Sequence, residues 1–447
     1  MRDLTKGSPA KQISLFALPV CLGNIFQLCY SLADTRIVGS YLGSAALAAV
    51  GATNSLSSML IGFLMGMTNG FALLIARYFG AGKEKKMKKA VAATFVLGMG
   101  TACLFVLLGV TFLQAILGGL HTPQNILPLS MRYMRIILIG LPLTMLYNAS
   151  AAVLRAVGDS VTPLLFLMLS TGLNVALDLL FVTKLQAGVE GAAVATVLAQ
   201  AVSVLLCMVY MFRRYEMLRV KKEDFALEKN MVKEMYLTGS SMALMVSFVN
   251  IGSLVLQGAI NSFGEDIIVA HTASRKLTEL FMLPFSVFGT TMATFCSQNM
   301  GAKKYDRIRT GMWQVLLLNA IWCAMVQLVT YTCVPVLLRA ITGTDKAVII
   351  QTATKYMRIN TILYFVTAII CILRNALQGI GEKLTPIFSS FIELFGKVLI
   401  AMLLAPRIGY MGVMVSEPLI WCIMVIPLIV KAMRSPVFRK KYESSVS

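Results

Sequence analysis

The sequence predicts an all-α integral membrane protein of about twelve transmembrane helices, arranged as two homologous six-helix lobes with a central cavity. Three observations predict it: the composition, the spacing of long apolar runs, and an internal repeat that spans most of the chain. Of the 447 residues, 57% are hydrophobic and 13% charged, and mean hydropathy is +0.78, far from the composition of water-soluble domains. Apolar runs such as 90–117, 163–183 and 410–430 reach the roughly 20 residues that an α-helix needs to cross a hydrocarbon core. The first such run follows the basic segment 1–11 and continues to spanning length without a small-residue cleavage site. It therefore reads as a span and not as a signal peptide.

Cutting at charge clusters and at Gly, Pro and Asn turns places spans at 13–37, 46–79, 90–117, 128–154, 163–184, 190–212, 232–259, 266–299, 311–338, 350–376, 385–405 and 410–431. The formal net charge of +20 is concentrated after even-numbered spans: Lys83 to Lys89, Arg213 to Lys222, Lys303 to Arg309, and Arg439 to Lys441. Positive charge marks loops on the cytoplasmic side, next to an anionic leaflet, so both termini are expected there. The same placement argues against nucleic-acid binding, which a net positive charge would otherwise suggest. The long charged segment 213–231 reads as a linker between an amino-terminal lobe, 1–212, and a carboxy-terminal lobe, 232–433, with a cytoplasmic tail at 434–447.

The repeat is legible residue by residue. Phe79-Gly80-Ala81-Gly82-Lys83 aligns with Met300-Gly301-Ala302-Lys303-Lys304 at an offset of 221, and Tyr133-Met134-Arg135-Ile136 recurs verbatim at 356–359. Gly158-Asp159-Ser160-Val161-Thr162-Pro163 aligns in turn with Gly381-Glu382-Lys383-Leu384-Thr385-Pro386 at an offset of 223. Because each half holds an even number of spans, the repeats share one orientation, the parallel arrangement of many transporters. The last of these turns has a local reading: a left-handed Gly ends one helix, then Thr caps the next helix and Pro opens it.

Inside the spans an ionisable residue is costly and defaults to a functional hypothesis. In the first half the candidates are Asp34 and Asp178. Asn174, one turn before Asp178, projects from the same face, and Asn148 and Thr196 add oxygens. Such a set suits Na⁺, a hard cation, and equally suits proton exchange between neighbouring carboxylates. The alternative is that Asp34 sits at the outer interface and Asp178 is an internal helix contact. The repeat equivalents are not acidic, with Val255 for Asp34, Lys397 for Asn174 and Ala401 for Asp178. On this reading the oxygen-rich cluster belongs to the first half only, and the second half mainly completes the cavity.

The second half carries charges of its own. Glu393 and Lys397, one turn apart, can neutralise each other, as a structural pair or at a substrate site. Arg275, Lys276 and Glu279 lie in span eight, while Glu417 and Arg374 read as residues near helix ends that reach the interface. His121 and His271 are placed near the outer surface. The nine cysteines are scattered singly with no metal-ligand spacing, and no cluster of catalytic side chains is visible, so an enzyme is not expected. Some of the 28 Met and 23 Phe residues could line a cavity for varied apolar or cationic ligands.

Together the two six-helix halves, Leu18-Pro19 with Asp34, the Gly-Ala-Gly-Lys turn at 80–83 and Leu-Arg-Ala-Val-Gly-Asp at 154–159 resemble the multidrug and toxic compound extrusion (MATE) family, in its DinF-like prokaryotic branch. The resemblance runs from about Ile13 to Met433. It implies that Asp34, Asn148, Asn174, Asp178 and Thr196 bind the coupling cation. It also implies that Pro19 is a bend point and that Gln27 and Tyr30 face the cavity. Another branch uses acidic residues in helices seven and ten, and this chain has none between 242 and 258 or between 351 and 373.

The resemblance further implies secondary active efflux of varied amphipathic or cationic drugs or metabolites, by antiport with Na⁺ or H⁺. No cofactor is expected beyond that ion. The expected partners are small-molecule substrates and membrane lipids, with no nucleic acid, and the protein is expected to work as a monomer in the cell membrane. A lipid-linked precursor flippase of the same superfamily is the alternative. Such chains usually have extra helices and cavities rich in Arg and Lys.

Overall fold

The computed structural model describes residues 2–120 and 122–439, apart from the side chains of 29–36 and 38. Every regular element among them is helical. The first, α1, runs Pro9–Gly80, 72 residues, and its one non-helical position is Gly43. At 1.5 Å per residue it would be about 108 Å long if straight, over three times a hydrocarbon core, so it comprises two spans that meet at Gly43. There follow α2 (Glu84–Gly119), α3 (Leu127–Ala156), α4 (Val161–Asp178), α5 (Gly188–Arg214), α6 (Lys229–Ile260), α7 (Glu265–Gly301), α8 (Tyr305–Thr332) and α9 (Val334–Thr342). The chain continues with α10 (Ala347–Thr361), α11 (Tyr364–Ile380), α12 (Leu384–Leu399), α13 (Ala405–Ile408) and α14 (Tyr410–Arg434).

Ten helices among the described residues are long and apolar enough to cross a membrane, and an eleventh span is the pair α10 and α11, bent by 54° at their junction. The arm of α1 before Gly43 brings the architecture to twelve.

The repeat read from the sequence is also a repeat of backbone conformation. Positive φ occurs at Gly43 and Gly264, at Gly82 and Lys303, at Gly158 and Gly381, and at Gly188 and Gly409. The members of each pair are separated by the same 221 or 223 positions that align the sequences. These are the points where the chain must reverse between spans, and glycine takes seven of the eight because it enters the left-handed region without a Cβ clash. Two π-helical turns recur in the same way, Leu179–Lys184 after α4 and Ile400–Leu404 after α12.

The recurring Gly-acid turn differs from its sequence reading in one respect. Thr162 is not the cap of α4. The Asp159 carboxylate accepts from the backbone N–H of Val161 at 3.2 Å and of Thr162 at 3.0 Å, and also from the Thr162 hydroxyl at 2.6 Å and the Tyr215 hydroxyl at 2.7 Å. A carboxylate has two oxygens and a charge to offer the open N–H groups of a helix start, where a hydroxyl has one neutral oxygen. In the second half Glu382 does the same for α12, at 3.4 Å to the Thr385 N–H.

The chain forms two compact units. One consists of Leu18–Ala243 with the first residues of the chain, the other of Leu4–Ala17 and the residues from Leu244 onward. In the first unit a core of Phe71, Ile75, Met87, Met134, Leu138 and Met145 is sealed where α1 meets the start of α6. A Cβ on Gly70 would fall 2.5 Å from the Gly239 Cα, and one on Gly66 would fall 2.6 Å from the Ala243 Cα. Small residues let two backbones touch, the usual basis of helix association where both helix and lipid are apolar. In the second unit α7 and α11 meet similarly, with Gly379 against the Ala293 carbonyl. The segment before α1 is held by side chains of α7 and α8: Leu4 N–H donates to Gln298 Oε1 at 3.1 Å, and the Leu4 carbonyl accepts from Asn299 Nδ2 at 3.2 Å and Arg307 Nη2 at 3.1 Å.

Candidate functional site

In the first unit a cavity of about 220 Å³ opens among α1, α3, α4 and α5. Pro19, Gln27, Asn148, Asn174 and Thr196 all line it. Five of the eight residues singled out from the sequence therefore come together around one space, although they derive from four helices. Asn174 is 3% exposed, and its Nδ2 donates to Thr196 Oγ1 at 3.3 Å. Thr196 in turn donates to the Ala192 carbonyl at 3.1 Å. Asp178 lies one turn beyond Asn174 at the end of α4 and is completely buried. It does not line the cavity wall. Tyr30 and Asp34, the remaining two, have side chains outside the described residues.

Gln27, Thr144, Thr196 and Gln200 also line a second cavity of about 230 Å³, together with Asn54, Ser57 and Ser58. Thr144 donates to Gln200 Oε1 at 2.6 Å. Of these, Asn54, Ser57, Ser58, Thr144 and Gln200 were not singled out from the sequence, because a Ser, Thr, Asn or Gln within an apolar run carries no period or charge that marks it. Arg155 was read only as part of a turn. It belongs to the last turn of α3, and its side chain lines the first cavity.

The second unit contains a buried charged network that the sequence reading did not assemble. Lys397 Nζ lies 3.0 Å from Glu393 Oε1, so the expected pair exists, but it is not isolated. Lys397 also donates to Ser253 Oγ at 3.2 Å and lies 3.9 Å from Glu417. Arg374 is 3.6 Å from the other Glu393 oxygen, and Arg275 is 2.7 Å from Glu417, which also accepts from the Tyr356 hydroxyl at 3.3 Å.

One reading is corrected by this. Glu417 and Arg374 do not reach out to the interface, since they are 6% and 7% exposed. His271 is buried as well, at 4% exposure, with its Nδ1 3.0 Å from the Tyr410 hydroxyl. An ionised group cannot stay within a lobe at membrane depth unless opposite charge and hydrogen bonds surround it, so these residues collect into one cluster. His121 lies outside the described residues. Among the described residues no group of His, Cys, Asp and Glu could hold a metal ion.

Two repeated sets of helices long and apolar enough to span a membrane, each enclosing polar and ionisable side chains, define a multi-pass membrane transporter. The MatE family model matches residues 19–180 and 241–404, well over half of the chain, and the chain belongs to this family of multidrug efflux transporters. Among curated relatives it is similar to the probable multidrug resistance protein YpnP of Bacillus subtilis, 29% identical over 311 residues, 68% of each chain. It is also similar to the probable multidrug resistance protein NorM of Thermotoga maritima, 24% identical over 398 residues, 86% of this chain and 83% of that one. Its fold is that of an outward-facing multidrug resistance MATE family transporter, with a TM-score of 0.88 at 22% identity over 97% of each chain.

Proposed function

We propose that the protein is a secondary active efflux transporter, which exports varied amphipathic, often cationic, drugs or metabolites by antiport with Na⁺ or H⁺. The observation that carries the reading is the first-lobe cavity. Asn148, Asn174 and Thr196 present neutral oxygens to it, and the fully buried Asp178 stands one turn behind them. A carboxylate kept from water at a cavity edge gains most from binding a cation or a proton. Coupling requires that this binding favour one conformation over the other, since a ligand with equal affinity for both moves nothing. The family resemblance gives Asp34 the same coupling role and assigns Pro19, Gln27 and Tyr30 to the substrate side; Pro19 and Gln27 line this cavity.

The protein works as a monomer in the cell membrane, both termini cytoplasmic, with small-molecule substrates and membrane lipids as partners and no cofactor besides the coupling ion. The lipid-linked precursor flippase is not favoured, as the relatives named above are multidrug resistance proteins. Dye efflux from proteoliposomes, with pH and Na⁺ gradients imposed separately, tests the proposal. One gradient is expected to drive efflux and the other not. Absence of dye flux under both would defeat it.

A further inference from the structure

An open-sided groove of about 660 Å³ lies in the second unit, walled by α12 and α14. Leu384, Phe388 and Phe391 line it from α12, Pro427 from α14, and Phe248 from α6. The Lys431–Glu382 pair at 2.7 Å and the Lys397–Glu417 contact at 3.9 Å set α12 and α14 antiparallel. Leu384, which opens α12, and Arg434, which ends α14, therefore share one end of the groove. Phe391 and Pro427 each lie seven residues inward, about 10 Å at 1.5 Å per residue. The groove is thus apolar for two helical turns below the helix ends, and its mouth carries the cations Lys431 and Arg434.

The two cations are not equivalent. Lys431 is neutralised by Glu382, whereas Arg434 is exposed and, among the described residues, no carboxylate pairs with it. An arginine at a helix end and exposed apolar side chains below it are ordinary for a spanning helix. A preformed hollow beneath the arginine is not. Phe391 is fixed between Phe248, edge-on at 6.2 Å, and Phe395, stacked at 6.2 Å with 11° between the planes. Rings already locked in place need no further ordering when a ligand arrives. Nor does the repeat call for this combination, since the equivalents of Phe388, Phe391 and Lys431 are Leu165, Met168 and Tyr210.

A ligand that fits has an anionic head at the end of the spans and a hydrocarbon tail reaching inward, which is the form of a phospholipid. A guanidinium fork matches phosphate oxygens, and basic pockets between spanning helices select anionic headgroups. The geometry points to a binding site for one anionic phospholipid, its acyl chain along Phe388 and Phe391 and its phosphate on Arg434, with Lys431 beside it. This site is separate from the first-lobe cavity and does not depend on which ion or compound is transported.

The test is fluorescence quenching in phosphatidylcholine vesicles that hold the full-length protein and a small fraction of lipid with brominated acyl chains, which quench a tryptophan they touch. Phe388→Trp places the reporter in the groove. Brominated phosphatidylglycerol is expected to occupy it about fivefold more readily than brominated phosphatidylcholine, the scale of one basic residue beside an anionic headgroup. The wild type samples ordinary lipid contact through the exposed Trp313 and should show no such preference. Adding Arg434→Gln to Phe388→Trp should bring the two lipids to parity, and adding Arg434→Lys should keep part of the preference. Adding Arg439→Gln, which removes an exposed cation that does not line the groove, should leave it intact. Equal quenching by the two lipids in Phe388→Trp, or a preference that survives Arg434→Gln, overturns the inference. A preference of the same size in the wild type, or one lost in Arg439→Gln, overturns it too, because the attraction would then belong to the whole surface. Displacement of the brominated lipid by glycerol phosphate would make this a site for soluble phosphate, and displacement by tetraphenylphosphonium a site for cationic substrate; either result defeats the lipid assignment.

Discussion

The Lys397 ammonium lies 3.0 Å from Glu393, one turn earlier on α12, and 3.9 Å from Glu417 on α14. One cation thus serves two carboxylates, and Glu417 in turn serves Arg275 at 2.7 Å. Removing one member leaves the others with uncompensated charge in a low-dielectric lobe. Glu417→Gln is expected to destabilise the protein by about 3–5 kcal/mol, the range for breaking a buried pair. Combining Glu393→Gln with Lys397→Met should cost less than the two single changes added together. Thermal unfolding in detergent measures both, and additive single effects would show that the two residues are not coupled.

Asp178 is fully buried one turn beyond the cavity residue Asn174. Asp178→Asn keeps the shape of the side chain and removes its charge. Gradient-driven efflux should fall to background while expression and melting temperature stay close to those of the wild type, and Asp34→Asn should do the same. Full efflux by both single variants would remove the first lobe from the coupling mechanism.

Glu382 titrates in a loop, outside the spans. Burial pushes its carboxyl up, but the Lys431 ammonium at 2.7 Å and the N–H and hydroxyl of Thr385 outweigh this and hold it below the ordinary carboxylate value of 4.5. A depressed folded-state pKa contributes stability that is present above the ordinary value and lost as pH falls through the folded one. The melting temperature of the wild type should therefore drop as pH is lowered below about 4.5. Glu382→Gln should show a shallower fall over the same window. Identical acid limbs for the two proteins would rule the contribution out.

Gly70 packs directly on Gly239. A Cβ there would sit 2.5 Å from backbone, which no side-chain rotation relieves. Gly70→Ala must push α1 from α6 and is expected to cost about 1–3 kcal/mol as an overpacking change. Gly100→Ala, where a Cβ meets nothing within 4 Å, is the control and should be neutral or slightly stabilising. Equal melting temperatures for the two variants would show that the contact is not tight in the membrane.

The sequence alone determined that the chain is a helical membrane protein, where its spans and turns fall, that its halves repeat, and that Asn174 and Asp178 share a helix face. These are consequences of composition, of run length and of a 3.6-residue period, all of which are local and survive without knowledge of neighbours. Only the tertiary structure decided which polar residues meet. Glu417 and Arg374 read as reaching the interface because distance along a helix does not reveal the rotation that turns a side chain inward. Helix packing buries them, and burial then obliges Glu417 and Arg374 to join Arg275, Glu393 and Lys397 in one network. Arg155 shows the converse: its turn was legible, but its place on a cavity wall depends on four helices whose separation in sequence no local pattern records.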